Sequence, residues 1–153
     1  MTQPLLSICI PTYNSACYLW RTLNSITTQK GFLFTDFIEI VISDNCSDDA
    51  TEEVCMEFVK KYPSKIRYIK SDEHVSGDEN FIFVINQARG KFVKLHNDTC
   101  YVLENSVDKM LDDVKYADEA GCCGCFFANT AAKKEGIENC FDDLISNVSY
   151  YIT

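Results

Sequence analysis

The chain has 153 residues, of which 46% are hydrophobic and 24% charged, and a formal net charge of -9. Such a length and apolar share suit one packed domain and exclude disorder or a fibrous repeat. The negative charge argues against a nucleic-acid binder, which needs clustered Lys and Arg; a phosphorylated ligand would need backbone N–H groups, a helix N-terminus or a bridging cation.

The predicted elements alternate between apolar runs and amphipathic segments, the pattern of strands and helices around a mostly parallel sheet. The first strand is expected over Leu5 to Pro11, with a turn at residues 12–15. A helix follows from about Ala16 to Gln29, capped by Ser15, with Leu19, Leu23 and Ile26 on its core face. A second strand over Phe37 to Ser43 ends in DNCSDDAT, where Ser47 and Asp48 can cap a helix that Pro63 stops near Tyr62. The third strand is Ile66 to Lys70, and the polar loop SDEHVSG leads into a helix from about Asp78 to Ala88. A fourth strand, Lys91 to His96, precedes the loop NDTCY and a helix of about Leu103 to Ala117 with Val107, Met110, Leu111 and Val114 on one side. Gly121 to Ala128 reads as a last strand, after which periodicity fades.

No stretch reaches the roughly 18 to 20 apolar residues of a membrane span, and the start MTQPLLSICIP lacks a basic segment followed by a cleavable apolar one. The expected location is cytoplasmic, with the inner face of the membrane as the nearest alternative. The nine cysteines are odd in number and several sit in apolar text, so reduced, packed thiols are expected. The CxxC within Cys122, Cys123 and Cys125 reads as part of a buried strand and not as a redox or zinc motif.

In successive right-handed strand–helix–strand units, every loop leaving the carboxyl end of a parallel strand opens on one edge of the sheet. The polar clusters after the strands are therefore expected to converge. They are Thr12, Tyr13 and Asn14; Asp44 and Asn45; Ser71 and Asp72; and His96, Asn97 and Asp98. A nucleotide crevice is the natural result. A dinucleotide-binding oxidoreductase is disfavoured because PTYNSAC holds no Gly-rich turn of the GxGxxG kind.

The strings SICIPTYN, VISDNCSDDAT and GDENFIFVINQARGKFVKLHNDT, in this order, resemble the large family-2 glycosyltransferases of the GT-A fold over about Leu5 to Leu111. The resemblance implies a Rossmann-like three-layer α/β/α sandwich. It also implies transfer of a sugar from a nucleoside-diphosphate sugar, UDP-linked in the first instance, to an acceptor hydroxyl with inversion. Pro11, Thr12, Tyr13 and Asn14 would line the base and ribose pocket, and Asp44 and Asn45 would meet the base or sugar. His96, Asn97 and Asp98 fall where the family carries its DxD motif, so Asp98, with His96, would hold Mn or Mg against the two phosphates. His96 departs from that pattern by replacing the first acid, and imidazole suits Mn better than Mg. Asp78 and Asn80 resemble an acid-x-Asn element beside the diphosphate, although an Asp at a helix start is also an ordinary cap. Lys70 or Arg89 would have to stand in for a phosphate-binding Arg.

The family's general base lies well downstream of the DxD position, and only 55 residues follow Asp98 here, with Asp142 and Asp143 the sole late acid pair. Residues 1–130 are thus expected to form the donor-binding domain, and 131–153 a tail leading to an acceptor-binding part supplied elsewhere. The acceptor could be a polysaccharide, a lipid-linked glycan or a protein. The competing reading is a non-catalytic nucleotide-binding or interaction module of doubly wound fold.

Overall fold

The structure is a computed structural model and describes residues 3–122. Its elements run β1 (Leu6–Thr12), α1 (Ala16–Thr27), α2 (Lys30–Leu33), β2 (Ile38–Asp44), α3 (Thr51–Lys61), β3 (Ile66–Lys70), α4 (Gly77–Asn86), β4 (Phe92–Leu95) and α5 (Ser106–Glu119). The four strands form one sheet in the order β3-β2-β1-β4, parallel throughout. β1 and β2 are buried along their whole length, which is why both read as nearly continuous apolar runs.

The alternation of side chains sorts two layers. Leu6, Ile8 and Ile10 of β1 and Ile38, Ile40 and Ile42 of β2 pack with Leu19, Leu23 and Ile26 of α1, Phe58 of α3, and Val107, Met110, Leu111 and Val114 of α5. On the other face Cys9, Val41 and Val93 meet Val84 of α4. The sheet therefore lies between α1, α3 and α5 on one side and α4 on the other, and the core faces expected of the first and last helices are the observed ones.

At the amino end of the strands a polar cluster fastens α4 and its outgoing turn. Glu39, almost fully buried, accepts from the Ser7 hydroxyl at 2.6 Å, from Arg67 Nε at 3.2 Å and from the Arg89 backbone N–H at 2.7 Å. The Arg67 guanidinium also donates to the Gln87 carbonyl. Gly90 closes this turn because a Cβ there would lie 2.7 Å from the Ser7 nitrogen. Arg89 thus stands at the edge opposite the strand-end loops, and its expected service near phosphates is withdrawn.

Helix starts differ from the expectation. Ser15 occupies the position before α1 and Ala50 that before α3, and neither helix has a cap from its own preceding side chain. Instead Asp49 serves both: one carboxylate oxygen accepts from Ala16 N–H at 3.1 Å and the other from Thr51 N–H at 2.9 Å. Burial alone would raise its pKa, but the hydrogen bonds from the Thr51 hydroxyl and from backbone N–H groups outweigh this and hold it below the ordinary value. Ser47 and Asp48, expected as caps, precede the helix by several residues. α1 also stops earlier, at Thr27, and the four-residue α2 follows. That turn presses on α5 so closely that a Cβ on Gly31 would sit 3.1 Å from Asp108 Cα.

The last predicted strand lies outside the described residues beyond Cys122, as do Asp142 and Asp143. Cys9 and Cys55 are buried as expected, whereas Cys17, Cys100 and Cys122 are exposed; all six cysteines among the described residues are free thiols. The buried reading thus fails for Cys122, which follows the last turn of α5 at the surface.

Candidate functional site

The carboxyl ends of β1, β2 and β4 bring the predicted clusters together. Thr12 is the register partner of Asp44, and its hydroxyl donates to Asp98 Oδ2 at 2.8 Å. A single β1 residue therefore lies between two carboxylates far apart in sequence.

The loop after β1 is tied to the loop after β2. Asn14 adopts a left-handed backbone, with φ of 47°, which Asn tolerates better than most residues. Its N–H donates to the Ser47 hydroxyl at 2.9 Å, and its side-chain oxygen accepts from Asp48 N–H at 2.9 Å. Tyr13, by contrast, stands at the surface, 47% exposed.

Asp44 is fully buried. Oδ1 accepts from Ser47 N–H at 2.9 Å and the Ser47 hydroxyl at 2.5 Å, and Oδ2 accepts from the Tyr68 hydroxyl at 2.6 Å. Burial and then the bond to this carboxylate keep the Tyr68 phenol well above its ordinary pKa. Asn45 is buried too, and its amide clamps Val75 in both directions, each bond 2.8 Å. Asn80 faces the sheet, its oxygen accepting from the Ser43 hydroxyl at 2.5 Å and its nitrogen donating to the Ser43 carbonyl at 3.2 Å. These three residues, expected as ligands, make hydrogen bonds within the protein that shape the loops around them. Asp78 is exposed in the first turn of α4, whose cap is Ser76 in a reciprocal capping box with Glu79. Lys70, at the end of β3, is paired with Glu52 at 2.7 Å.

The segment after β4 has no regular structure until α5, and α1 together with Gln29, just before α2, holds it in place. The Thr22 hydroxyl donates to the Asp98 carbonyl at 2.7 Å, the Ser25 hydroxyl accepts from Val102 N–H at 2.8 Å, and Gln29 bonds the Leu103 carbonyl and Val107 N–H. Asn97 folds back on Thr99, accepting from its N–H and hydroxyl. His96 is half-buried, and its Nε2 lies 2.8 Å from the Cys100 carbonyl. Because a carbonyl only accepts, Nε2 carries the proton and Nδ1 keeps its lone pair. Burial first, and the Lys94 charge second, push the His96 pKa down to about 4, so the ring is neutral at pH 7.

The donor set suits a cation that takes most of its ligands from elsewhere. Among the described residues no three His, Cys, Asp or Glu side chains gather as a closed metal cage. Asp98, fixed by Thr12 and Thr22, and neutral His96 offer one hard oxygen and one nitrogen, the kind of partial set that leaves positions for phosphate oxygens and water.

His74, not singled out in the sequence, stands beside this rim. Its ring centroid lies 4.4 Å from that of Tyr13, at 48°, and Nδ1 is 3.2 Å from the Asn45 carbonyl.

The family model described as glycosyl transferase family 2 matches residues 7–146. The chain belongs to that family. Among its relatives, abequosyltransferase RfbV of Salmonella typhimurium is 35% identical over an alignment of 127 positions that covers 77% of this chain and 37% of the relative. The poly(ribitol-phosphate) beta-N-acetylglucosaminyltransferase TarS of Staphylococcus aureus is 29% identical over 74% of this chain and 19% of its own. The chain thus spans little more than a third of the first of these relatives and about a fifth of the second. The crystal structure of TarS residues 1–349 with UDP-GlcNAc superposes with a TM-score of 0.56 at 28% identity, covering 74% of this chain and 31% of that one. A mannosyltransferase from Pyrobaculum calidifontis, solved with GDP-Man and Mn2+, shares the fold with a TM-score of 0.63 at 20% identity, over 76% of this chain and 33% of that one. The α/β architecture of this family 2 chain is accordingly that of the GT-A glycosyltransferases.

Proposed function

We propose that this chain is the donor-binding part of a glycosyltransferase that moves a sugar from a UDP-sugar to an acceptor hydroxyl during polysaccharide or glycan assembly. The observation carrying this reading is the position of Thr12 between Asp44 and Asp98, which gathers three strand-end loops on one rim. Family membership and the UDP-GlcNAc complex of TarS support the donor class. The proposed domain extends over residues 1–130, with 131–153 leading to an acceptor-binding part.

At this rim Tyr13 offers a flat surface to the base, while Thr12, Asn14, Asp44 and Asn45 hold the loops that shape the pocket. Asp98 and His96 would hold Mn or Mg. When bound, the cation supplies electrostatic neutralisation of the leaving diphosphate. Thr12 and Thr22 fix the Asp98 carboxylate and backbone beforehand, so that ordering them costs little on binding. The general base is assigned to the acceptor-binding part and not to any described residue. A cytoplasmic location is proposed with this role; among the described residues no helix is long and apolar enough to cross a membrane.

The alternative, a nucleotide-binding module without transfer, draws on the internal engagement of Asp44, Asn45 and Asn80. Thermal shift of the chain with UDP-, GDP-, CDP- and dTDP-sugars, with and without Mn, tests the proposal. Saturable, Mn-dependent stabilisation by a UDP-sugar that Asp98→Ala abolishes is expected; no stabilisation by any of the four sinks it. Transfer to an acceptor glycan separates enzyme from module.

A further inference from the structure

Residues 96–105, between β4 and α5, include Asp98 and have no regular structure, so the place of that carboxylate depends on what holds the segment down. A ladder of side chains does so. Gln29 Nε2 donates to the Ser25 carbonyl at 2.8 Å, and the Ser25 hydroxyl donates to the Thr22 carbonyl at 2.7 Å. The Thr22 hydroxyl in turn donates to the carbonyls of Asp98 and Cys100, at 2.7 and 3.1 Å. Gln29 is the far rung and makes no hydrogen bond to Asp98 itself. We propose that Gln29 is a positioning residue for the cation site, bracing the segment from Asp98 to Val107 so that Asp98 meets the metal in one place. The inference rests on the donor-binding reading above and extends its machinery to a residue beyond the end of α1.

The Gln29 side chain is buried, 8% exposed, and its amide is used at both ends. Besides the bond to Ser25, Nε2 donates to the Leu103 carbonyl at 2.9 Å, and Oε1 accepts from Val107 N–H at 3.0 Å. The second of these bonds completes α5, which starts without a cap of its own. Asn105, just before its first turn, has a left-handed backbone with φ of 64° and makes no side-chain cap bond. Val107 N–H, one of the donors that a helix start leaves open, is met by Gln29 instead. The amide is also set at a fixed distance from that helix, because Gln29 directly precedes α2 and Gly31 brings α2 against Asp108.

The segment is therefore gripped at two ends: by Thr12 and Thr22 at Asp98, and by Gln29 from Leu103 to Val107. Without Gln29 the far end is released, two backbone groups lose their partner, and the tension that keeps the near end in register is relaxed. Asp98 then samples more positions, and a cation must order it on binding, which lowers affinity without any change in the ligand atoms.

The test is titration of the full 153-residue chain with Mn alone, read by electron paramagnetic resonance of the free ion, on the parent, Gln29→Leu, Gln29→Glu and Gly90→Ala. Gln29→Leu fills the space and removes all three bonds. Gln29→Glu keeps an acceptor for Val107 N–H, and with it the start of α5, but donates nothing to Leu103. Both should bind Mn about tenfold more weakly than the parent, while Gly90→Ala, which loosens the opposite edge of the sheet, keeps the parent affinity. A merely structural role would lower the urea midpoint and leave the Mn affinity of the folded fraction unchanged. Parent affinity in Gln29→Glu, or in Gln29→Leu if that variant folds, overturns the inference alone, and so does an equal loss in Gly90→Ala. A parent chain that does not bind Mn overturns the cation site of the donor-binding reading and takes the inference with it.

Discussion

The Thr12 hydroxyl donates to Asp98 Oδ2 at 2.8 Å and so joins the end of β1 to the loop after β4 across 86 positions of sequence. Thr12 is 3% exposed, and its hydroxyl is committed to Asp98. Thr12→Val keeps the shape and removes the donor, leaving the carboxylate free to swing. Groups that orient a metal ligand typically matter by about ten- to a hundredfold in affinity. Mn binding followed by electron paramagnetic resonance should weaken by about that factor in Thr12→Val, while Thr12→Ser stays near the parent. Equal Mn affinity in all three would show that the bond does not prepare the site.

Asp49 closes the first turns of two helices with one side chain. Asp49→Ala should cost about 1 kcal/mol at neutral pH, the ordinary value of a lost cap. The folded pKa is depressed, so the stabilisation is complete above the ordinary carboxylate range and fades as pH falls through the lowered value. Urea midpoints of parent and variant should therefore differ at pH 7 and draw together below about pH 4. A gap that persists unchanged into acid would assign the effect to packing.

Glu39 and Gly90 support the opposite end of the sheet. Glu39→Ala strands the Arg67 guanidinium and removes acceptors for Ser7 and Arg89, a loss of about 3 kcal/mol. Gly90→Ala must displace the Ser7 backbone, for which about 1 to 3 kcal/mol is usual. Both should lower the urea midpoint while nucleotide affinity of the folded fraction stays at the parent value; a selective loss of affinity would contradict the placement of this cluster away from the rim.

The cysteines should divide by reactivity. Burial first, and the Glu39 charge second, push the Cys9 thiol up to about 12, and burial with nearby Asp44 raises Cys55 as well. Thiolates react and thiols do not, so a thiol-specific chromophore at pH 8 should modify Cys17, Cys100 and Cys122 quickly and Cys9 and Cys55 only on unfolding. Rapid labelling of Cys55 in the native chain, located by mass spectrometry, would count against the packing of α3.

The strands were legible because apolar runs such as IEIVISD are buried on both faces and leave no other choice. The convergence of Thr12, Asp44 and Asp98 followed from the handedness of the strand–helix–strand units. What the text could not convey was the direction of each polar side chain. Asp44, Asn45 and Asn80 look like ligands in sequence and turn inward, each satisfied by a neighbour that is distant in the chain: Tyr68, Val75 and Ser43. The capping role of Asp49 for α1 was hidden for the same reason, since its partner lies 33 positions away. α2 was hidden because four residues carry too little periodicity to register.

Thr22 and Ser25 on one stripe of α1, with Gln29 just beyond its end, meet the stretch from Asp98 to Val107, while the first turn of that helix is moored to Asp49. One residue inserted between Ala16 and Thr22 would rotate the stripe by about 100° and unhook the whole stretch at once, whereas extra residues at 63–65 would leave it untouched. Length tolerance along this chain is therefore uneven: α1 acts as a keyed shaft, and its register is a condition for assembling the rim.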